Sequence, residues 1–207
     1  MQAANRVVVN TVIQYTRLVV SALIGLVSVR LILGALGEDD YGLYDVVAGV
    51  IGLLGFVSSS LGMTSTRFLS ISLSKNDDEG TRKAFNSCFW THVLMAAGLV
   101  LVLEIVSLFV FDGYLKIAPD RIPTAKWIYQ CMLVSLFLSI TVTPFVSMQI
   151  SHENFIYVSL VYILDALCKL GIAIIITQYN QDKLLLYGIL MMLITLLNVL
   201  CFVVYSL

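Results

Sequence analysis

The sequence predicts an all-α polytopic membrane protein with six transmembrane helices, and three observations carry that prediction. The composition comes first: 59% of the 207 residues are hydrophobic and 12% are charged, and the mean hydropathy is +0.96. A soluble domain is roughly half apolar and a quarter charged, so this chain has too few polar side chains to cover a compact body in water. The second observation is length, because the apolar residues gather into six runs of the size that a bilayer core about 30 Å thick demands, about 20 residues each. The third is continuity, since the strands of a closed barrel alternate apolar and polar over about ten residues and these runs do not. A soluble enzyme, a disordered chain, a collagen-like fibre and a disulfide scaffold all fit poorly. Twelve Lys and Arg scattered among 13 acids, with a net charge of -1, leave no basic stripe to neutralise phosphates, which argues against nucleic acid.

In chain order the expected spans are 12–36, 41–63, 88–111, 127–150, 155–176 and 184–207, forming one transmembrane unit. The first is too long for a cleavable signal peptide and is read as a helix that stays. Polar stretches separate the spans, notably GEDD at 37–40, SKNDDEGTRK at 74–83 and the segment 112–126. Small residues crowd the first two spans (Ser21, Gly25, Ser28, then Ala48, Gly49, Gly52, Gly55, Ser58, Ser59 and Gly62), which predicts close helix packing there. In the fourth span Pro144 removes a backbone donor and clashes with the preceding turn, so a kink is expected there, and Ser139, Thr141 and Thr143 are near enough to bond freed carbonyls. Trp90, Trp127, Tyr41, Tyr44, Tyr114 and Tyr179 fall at span ends and fit interfacial anchoring. Arg6 ahead of the first span and the acidic loop Glu38, Asp39, Asp40 favour a cytoplasmic amino terminus. That orientation sets Arg6, Arg67, Lys75, Arg82 and Lys83 against Lys116, Arg121, Lys126 and Lys183.

No catalytic constellation is legible. Cys88, Cys131, Cys168 and Cys201 sit in or beside different spans without a CxxC, and read as small hydrophobes. His92 and His152 are isolated, no metal site or cofactor is expected, and neither a P-loop, a Rossmann fingerprint nor a nucleophile elbow is present.

The informative residues are ionic groups inside spans, each costing about 2.5 to 3.5 kcal/mol on insertion scales. Arg17 and Arg30 are separated by a rise of about 20 Å and a rotation of about 220°, so one straight helix cannot aim both at one groove. Arg17, preceded by Asn10, Gln14, Tyr15 and Thr16, either faces a wet cavity or snorkels to the interface. Glu104 in the third span is a candidate partner for Arg30. Asp165 and Lys169 stand at i and i+4, acid first, the favourable order for an intrahelical ion pair; a structural pair and a cavity-lining role are both open.

The run VRLILGALGEDDYGLYDVV (29–47), the Gly- and Ser-rich segment after it, and TSTRFLS (64–70) resemble the opening helix pair of bacterial polysaccharide and O-antigen flippases. These belong to the multidrug/oligosaccharidyl-lipid/polysaccharide exporter superfamily. The matching residues are Arg30, Gly34 and Gly37 in the short turn, Tyr41 and Gly42 after it, and Arg67. Beyond Lys83 the resemblance is one of helix number and loop rhythm. It implies one six-helix lobe of a two-lobe transporter of the bacterial inner membrane, with the second lobe beyond this sequence. Such a transporter passes a polyprenyl-diphosphate oligosaccharide across the bilayer by alternating access, for polysaccharide or lipopolysaccharide synthesis. The implied partners are that lipid-linked oligosaccharide, the bilayer, the second lobe and polysaccharide assembly proteins. Arg17 falls where lipid-precursor flippases of the superfamily carry a cavity arginine, although the further Arg-Asp pair of the lipid II branch is replaced here by Leu23 and Ile24. A substrate cavity of Asn10, Gln14, Arg17 and Asp45 is the resulting expectation. A cation-coupled drug exporter of the same fold, with Asp45 as the nearby acid, and a non-transporting membrane scaffold are the alternatives.

Overall fold

The computed structural model describes residues 2–52, 54–109, 118 and 121–206. The chain is helical along nearly all of that length: α1 Gln2–Gly52, α2 Gly55–Ser74, α3 Asp78–Phe109, α4 Ile122–Ser151, α5 Phe155–Gln178 and α6 Lys183–Ser206. All except α2 are long and apolar enough to cross a membrane, which makes five such helices among the described residues. Their outer faces are those of a multi-pass membrane protein. Leu26, Leu94 and Phe109 are at least 70% exposed. Each would forfeit about 1.5 to 3 kcal/mol in water relative to a buried site.

The first two predicted spans are arranged differently from the expectation. Within α1, Gly37 leaves the helical region (φ 81, ψ 170), a conformation open to a residue without Cβ, and the chain reverses there. Before Gly37, α1 runs alongside α5, with Arg17 over Tyr162 and Ile32 packed with Ile172 and Ile176. After Gly37 it runs along the first part of α4, from Asp40 beside Arg121 through Val47 against Tyr129. The predicted second span, 41–63, is not continuous, because helix stops at Gly52 and resumes at Gly55. Gly49, Gly52 and Gly55 each cost up to about 1 kcal/mol of helix propensity. The joint tightens into shorter turns, with Leu54 N–H donating to Ile51 O and Val57 N–H to Leu54 O, both at 3.0 Å.

The other boundaries follow local chemistry. The expected loop 74–83 shrinks to a tight turn: Asn76 takes φ 50, and Asp77 accepts from Gly80 N–H at 2.8 Å, capping the new helix. Pro123 opens α4 at its first turn, and Asp182 accepts from Leu185 N–H at 3.2 Å at the start of α6. Residues 110 and 111 of the third predicted span, Tyr114, Lys116 and Leu207 lie outside the described residues.

Three apolar clusters hold the bundle. One joins the second arm of α1 to α3 and α4 around Leu133 and Ile140. Another joins the first arm of α1 to α5 and α6 around Ala173 and Ile176. The third ties α4, α5 and α6 around Phe202. Tyr129 hydroxyl donates to Leu103 O at 2.6 Å, pinning α4 to α3. Among the glycines of these two spans the expected close packing is met at Gly62, and Ser58 beside it bonds Thr143 at 3.2 Å. A Cβ on Gly62 would meet Thr143 Cγ2 at 3.0 Å, whereas Gly25, Gly49, Gly52 and Gly55 have nothing within 4 Å of such an atom.

Two further expectations need correction. Tyr44 is not an interfacial anchor; its ring lies 4.6 Å from that of Tyr187 inside the bundle, while Trp90 and Trp127 are exposed. α4 continues through Pro144. The nearby hydroxyls do not rescue the Ile140 carbonyl that Pro144 deprives of a donor: Ser139 donates to Leu136 O, Thr141 to Phe137 O and Thr143 to Ser139 O.

Candidate functional site

The polar groups of the bundle meet on one face of α5. Ser159, Tyr162, Asp165 and Lys169 recur at three- and four-residue spacing and therefore stack along one side of that helix. Opposite them, Gln14, Arg17, Ser21, Gly25 and Ser28 form the matching stripe of α1, and the two stripes enclose a cavity of about 610 Å³. A second cavity, about 910 Å³, lies between α2, α4, α5 and α6 and shares Tyr162, Asp165 and Lys169 with the first. The charged side chains lining the two are Arg17, Arg67, Lys169 and Asp165, three cations against one carboxylate.

Asp165 is held from two sides. Lys169 Nζ lies 2.7 Å from Oδ2, the intrahelical pair that the i, i+4 spacing predicts. Asn198 Nδ2 donates to Oδ1 at 2.6 Å, reaching across from α6. The carboxylate is thus engaged by a cation and an amide together. Arg17 is placed differently. Its guanidinium carbon lies 4.9 Å from the centroid of the Tyr162 ring, a cation–π contact worth about 0.5 to 2 kcal/mol, and no carboxylate pairs with it among the described residues. The hydroxyls of Ser21 and Ser159, also on the wall of this first cavity, are buried without a hydrogen-bond partner. Of the charged groups lining this cavity the cations Arg17 and Lys169 outnumber the one carboxylate, Asp165, which is already engaged by Lys169 and Asn198.

The structure brings Gln14, Arg17, Asp165 and Lys169 together, and leaves the other expected residues elsewhere. Asn10 and Asp45 do not line the cavity; Asp45 is exposed on the second arm of α1. Arg30 and Glu104 are not an ion pair. Arg30 is exposed on the first arm of α1, turned away from the Arg17 face as the helical rotation requires, and Glu104 accepts from Gln130 Nε2 on α4 at 3.3 Å. Tyr162, Asn198 and Ser159 were not singled out by sequence reasoning. Asn198 had a signal, an amide within an otherwise apolar span, and Tyr162 had another, its spacing of three from Asp165.

Among the described residues no group of three His, Cys, Asp or Glu side chains could hold a metal ion. The four cysteines are free. His92 is buried, with Nδ1 at 2.8 Å from Cys88 O. No family model, no curated protein and no solved structure matches the chain.

Proposed function

We propose that the chain is one lobe of a lipid-linked oligosaccharide flippase of the polysaccharide exporter type. It crosses a bacterial inner membrane six times with its amino terminus in the cytoplasm. Together with a second lobe, it moves a polyprenyl-diphosphate sugar by alternating access. Six crossings are supported by the reversal at Gly37, after which the second arm of α1 and then α2 follow α4 to its far end, where Ser70 hydroxyl donates to Ser151 Oγ at 3.2 Å.

The observation that carries the reading is Arg17, a cation without a carboxylate partner facing an intramembrane cavity whose hydroxyls at Ser21 and Ser159 are unpartnered. A diphosphate is an acceptor-only dianion, and charge-assisted bonds to guanidinium and ammonium are the strong class of hydrogen bond. Arg17 would meet it first, with Lys169 one helix away. A scaffold has no need of such a cavity. A cation-coupled exporter needs a carboxylate open to the ion, and Asp165 already holds Lys169 and Asn198.

The test is binding of a polyprenyl diphosphate to the full chain in nanodiscs. Arg17→Ala should weaken it about tenfold, equal to 1.4 kcal/mol, with Arg17→Lys retaining part of the affinity. Equal affinity for the diphosphate in wild type and Arg17→Ala refutes the assignment.

A further inference from the structure

Hydrogen-bond accounting separates the two cavities. A hydroxyl carries one proton and two lone pairs. In the larger cavity the protons are already spent on helix backbone: Thr66 donates to Gly62 O at 2.9 Å, Ser139 to Leu136 O at 2.9 Å and Thr143 to Ser139 O at 3.0 Å. Ser147 reaches across to Gly62 O at 3.2 Å, and Thr195 donates to Met191 O at 3.1 Å. All five line that cavity, and what each has left to offer is an acceptor, with one lone pair of Thr143 already taken by Ser58 of the same wall at 3.2 Å. Asn198 adds to the imbalance. Its amide nitrogen is committed to Asp165, and its Oδ1 is buried with no donor. The smaller cavity differs: Ser28 has donated to Ile24 O at 2.8 Å, but the hydroxyls of Ser21 and Ser159, on the wall shared with Arg17, have no partner.

An acceptor wall calls for a ligand rich in donors, and two classes supply donors: cations and polyols. A free cation is disfavoured, because Arg67 and Lys169 line the same cavity and Arg17 stands across Tyr162. A neutral polyhydroxylated molecule meets the acceptors without that repulsion, each of its hydroxyls donating one proton, while Arg67 and Lys169 donate to its ring and hydroxyl oxygens. A volume of about 910 Å³ lies toward the upper end of the range of small-molecule sites, about 300 to 1,000 Å³. We propose that this α2–α4–α6 cavity is a binding site for a neutral glycan, read through hydroxyl donation to Thr66, Ser139, Thr143 and Thr195. The proposal rests on the flippase reading for what carries the glycan. It divides the ligand between the two cavities, with diphosphate at Arg17 and sugar beyond Tyr162.

The experiment uses sugars with no diphosphate, so it is independent of Arg17. Methyl trisaccharides of glucose, galactose and mannose are offered to the full chain in nanodiscs beside their per-O-methylated counterparts, which keep every oxygen and lose every hydroxyl proton. Binding is read by saturation-transfer NMR and by thermal shift. At least one hydroxylated trisaccharide should bind, and its per-O-methylated form should bind at least tenfold more weakly. Thr66→Val with Thr195→Val, a near-isosteric pair that removes two acceptors, should weaken sugar binding several-fold. The same pair should leave the affinity for sugar-free polyprenyl diphosphate unchanged, which also shows that the variant is folded. Equal binding of the methylated sugars, no binding by any member of the panel, or undiminished sugar affinity in the double variant overturns the glycan site. None of these outcomes touches the Arg17 result, so the two assignments fail separately.

Discussion

Asp165→Asn is the most informative single change in the bundle, because it keeps the shape of the side chain and leaves an acceptor for Asn198 while deleting the charge that Lys169 faces. Two limits bracket its cost. An exposed i, i+4 pair is worth about 0.2 to 0.5 kcal/mol, and breaking a fully buried pair costs about 3 to 5 kcal/mol because the survivor is left charged and alone. Asp165 is 16% exposed and Lys169 43% exposed, at 2.7 Å. The acid is therefore close to the buried limit, but the ammonium reaches the cavities and is partly solvated. The expected loss is about 1 to 2 kcal/mol, between those limits. A double-mutant cycle isolates it: Asp165→Asn, Lys169→Met and the double variant are unfolded in mixed detergent micelles, with helicity followed by circular dichroism. Lys169→Met should cost less than Asp165→Asn, since it leaves a carboxylate still bonded to Asn198 rather than an unpaired cation. The double variant should recover at least half of the single loss. A coupling energy near zero would refute the reasoning, because it would mean that water in the cavities already screens the pair.

Two further outcomes come from packing and from the surface. Gly62→Leu should destabilise the bundle by about 1 to 3 kcal/mol, since the first added carbon meets Thr143 at 3.0 Å; Gly25→Ala, with open space around it, should be neutral or stabilising by up to about 1 kcal/mol. A comparison of thermal midpoints checks both. Arg121 joins two turns at one end of the bundle, 3.0 Å from Asp40 and 3.6 Å from Asp182. Because its side chain is 37% exposed, Arg121→Ala should cost no more than about 1 kcal/mol. The difference from wild type should shrink as salt is raised from 50 mM to 1 M, and a salt-independent difference would point to packing instead of charge.

Particular residues show how far the sequence could be read. The i, i+4 order of Asp165 and Lys169 is sufficient to predict their pair, because both partners lie on one helix and the helical repeat fixes their separation. The rotation between Arg17 and Arg30 likewise predicts that they face different ways. Arg30 and Glu104 fail as a pair because they belong to different helices, and nothing in the spacing of residues says which helices become neighbours. Asn198 escapes notice for the same reason: its importance is that α6 lies against α5. The second span differs from its expectation because hydropathy counts glycines and serines as tolerable in a helix, whereas glycines at every third position, 49, 52 and 55, give the chain a place to break.

The sequence by itself determined the solvent of this protein and the helical character of its segments, because a chain so poor in charge must hide its backbone amides in helices and its side chains in lipid. Local chemistry also determined the starts of three helices, through Asp77, Pro123 and Asp182. Tertiary structure decided the rest: the reversal at Gly37, the stripe of α1 set against the stripe of α5, and the two cavities that share Tyr162, Asp165 and Lys169. The physical reason is that hydropathy and helical periodicity are properties of a segment, whereas a cavity belongs to several helices at once and exists only when their faces have been assigned to each other.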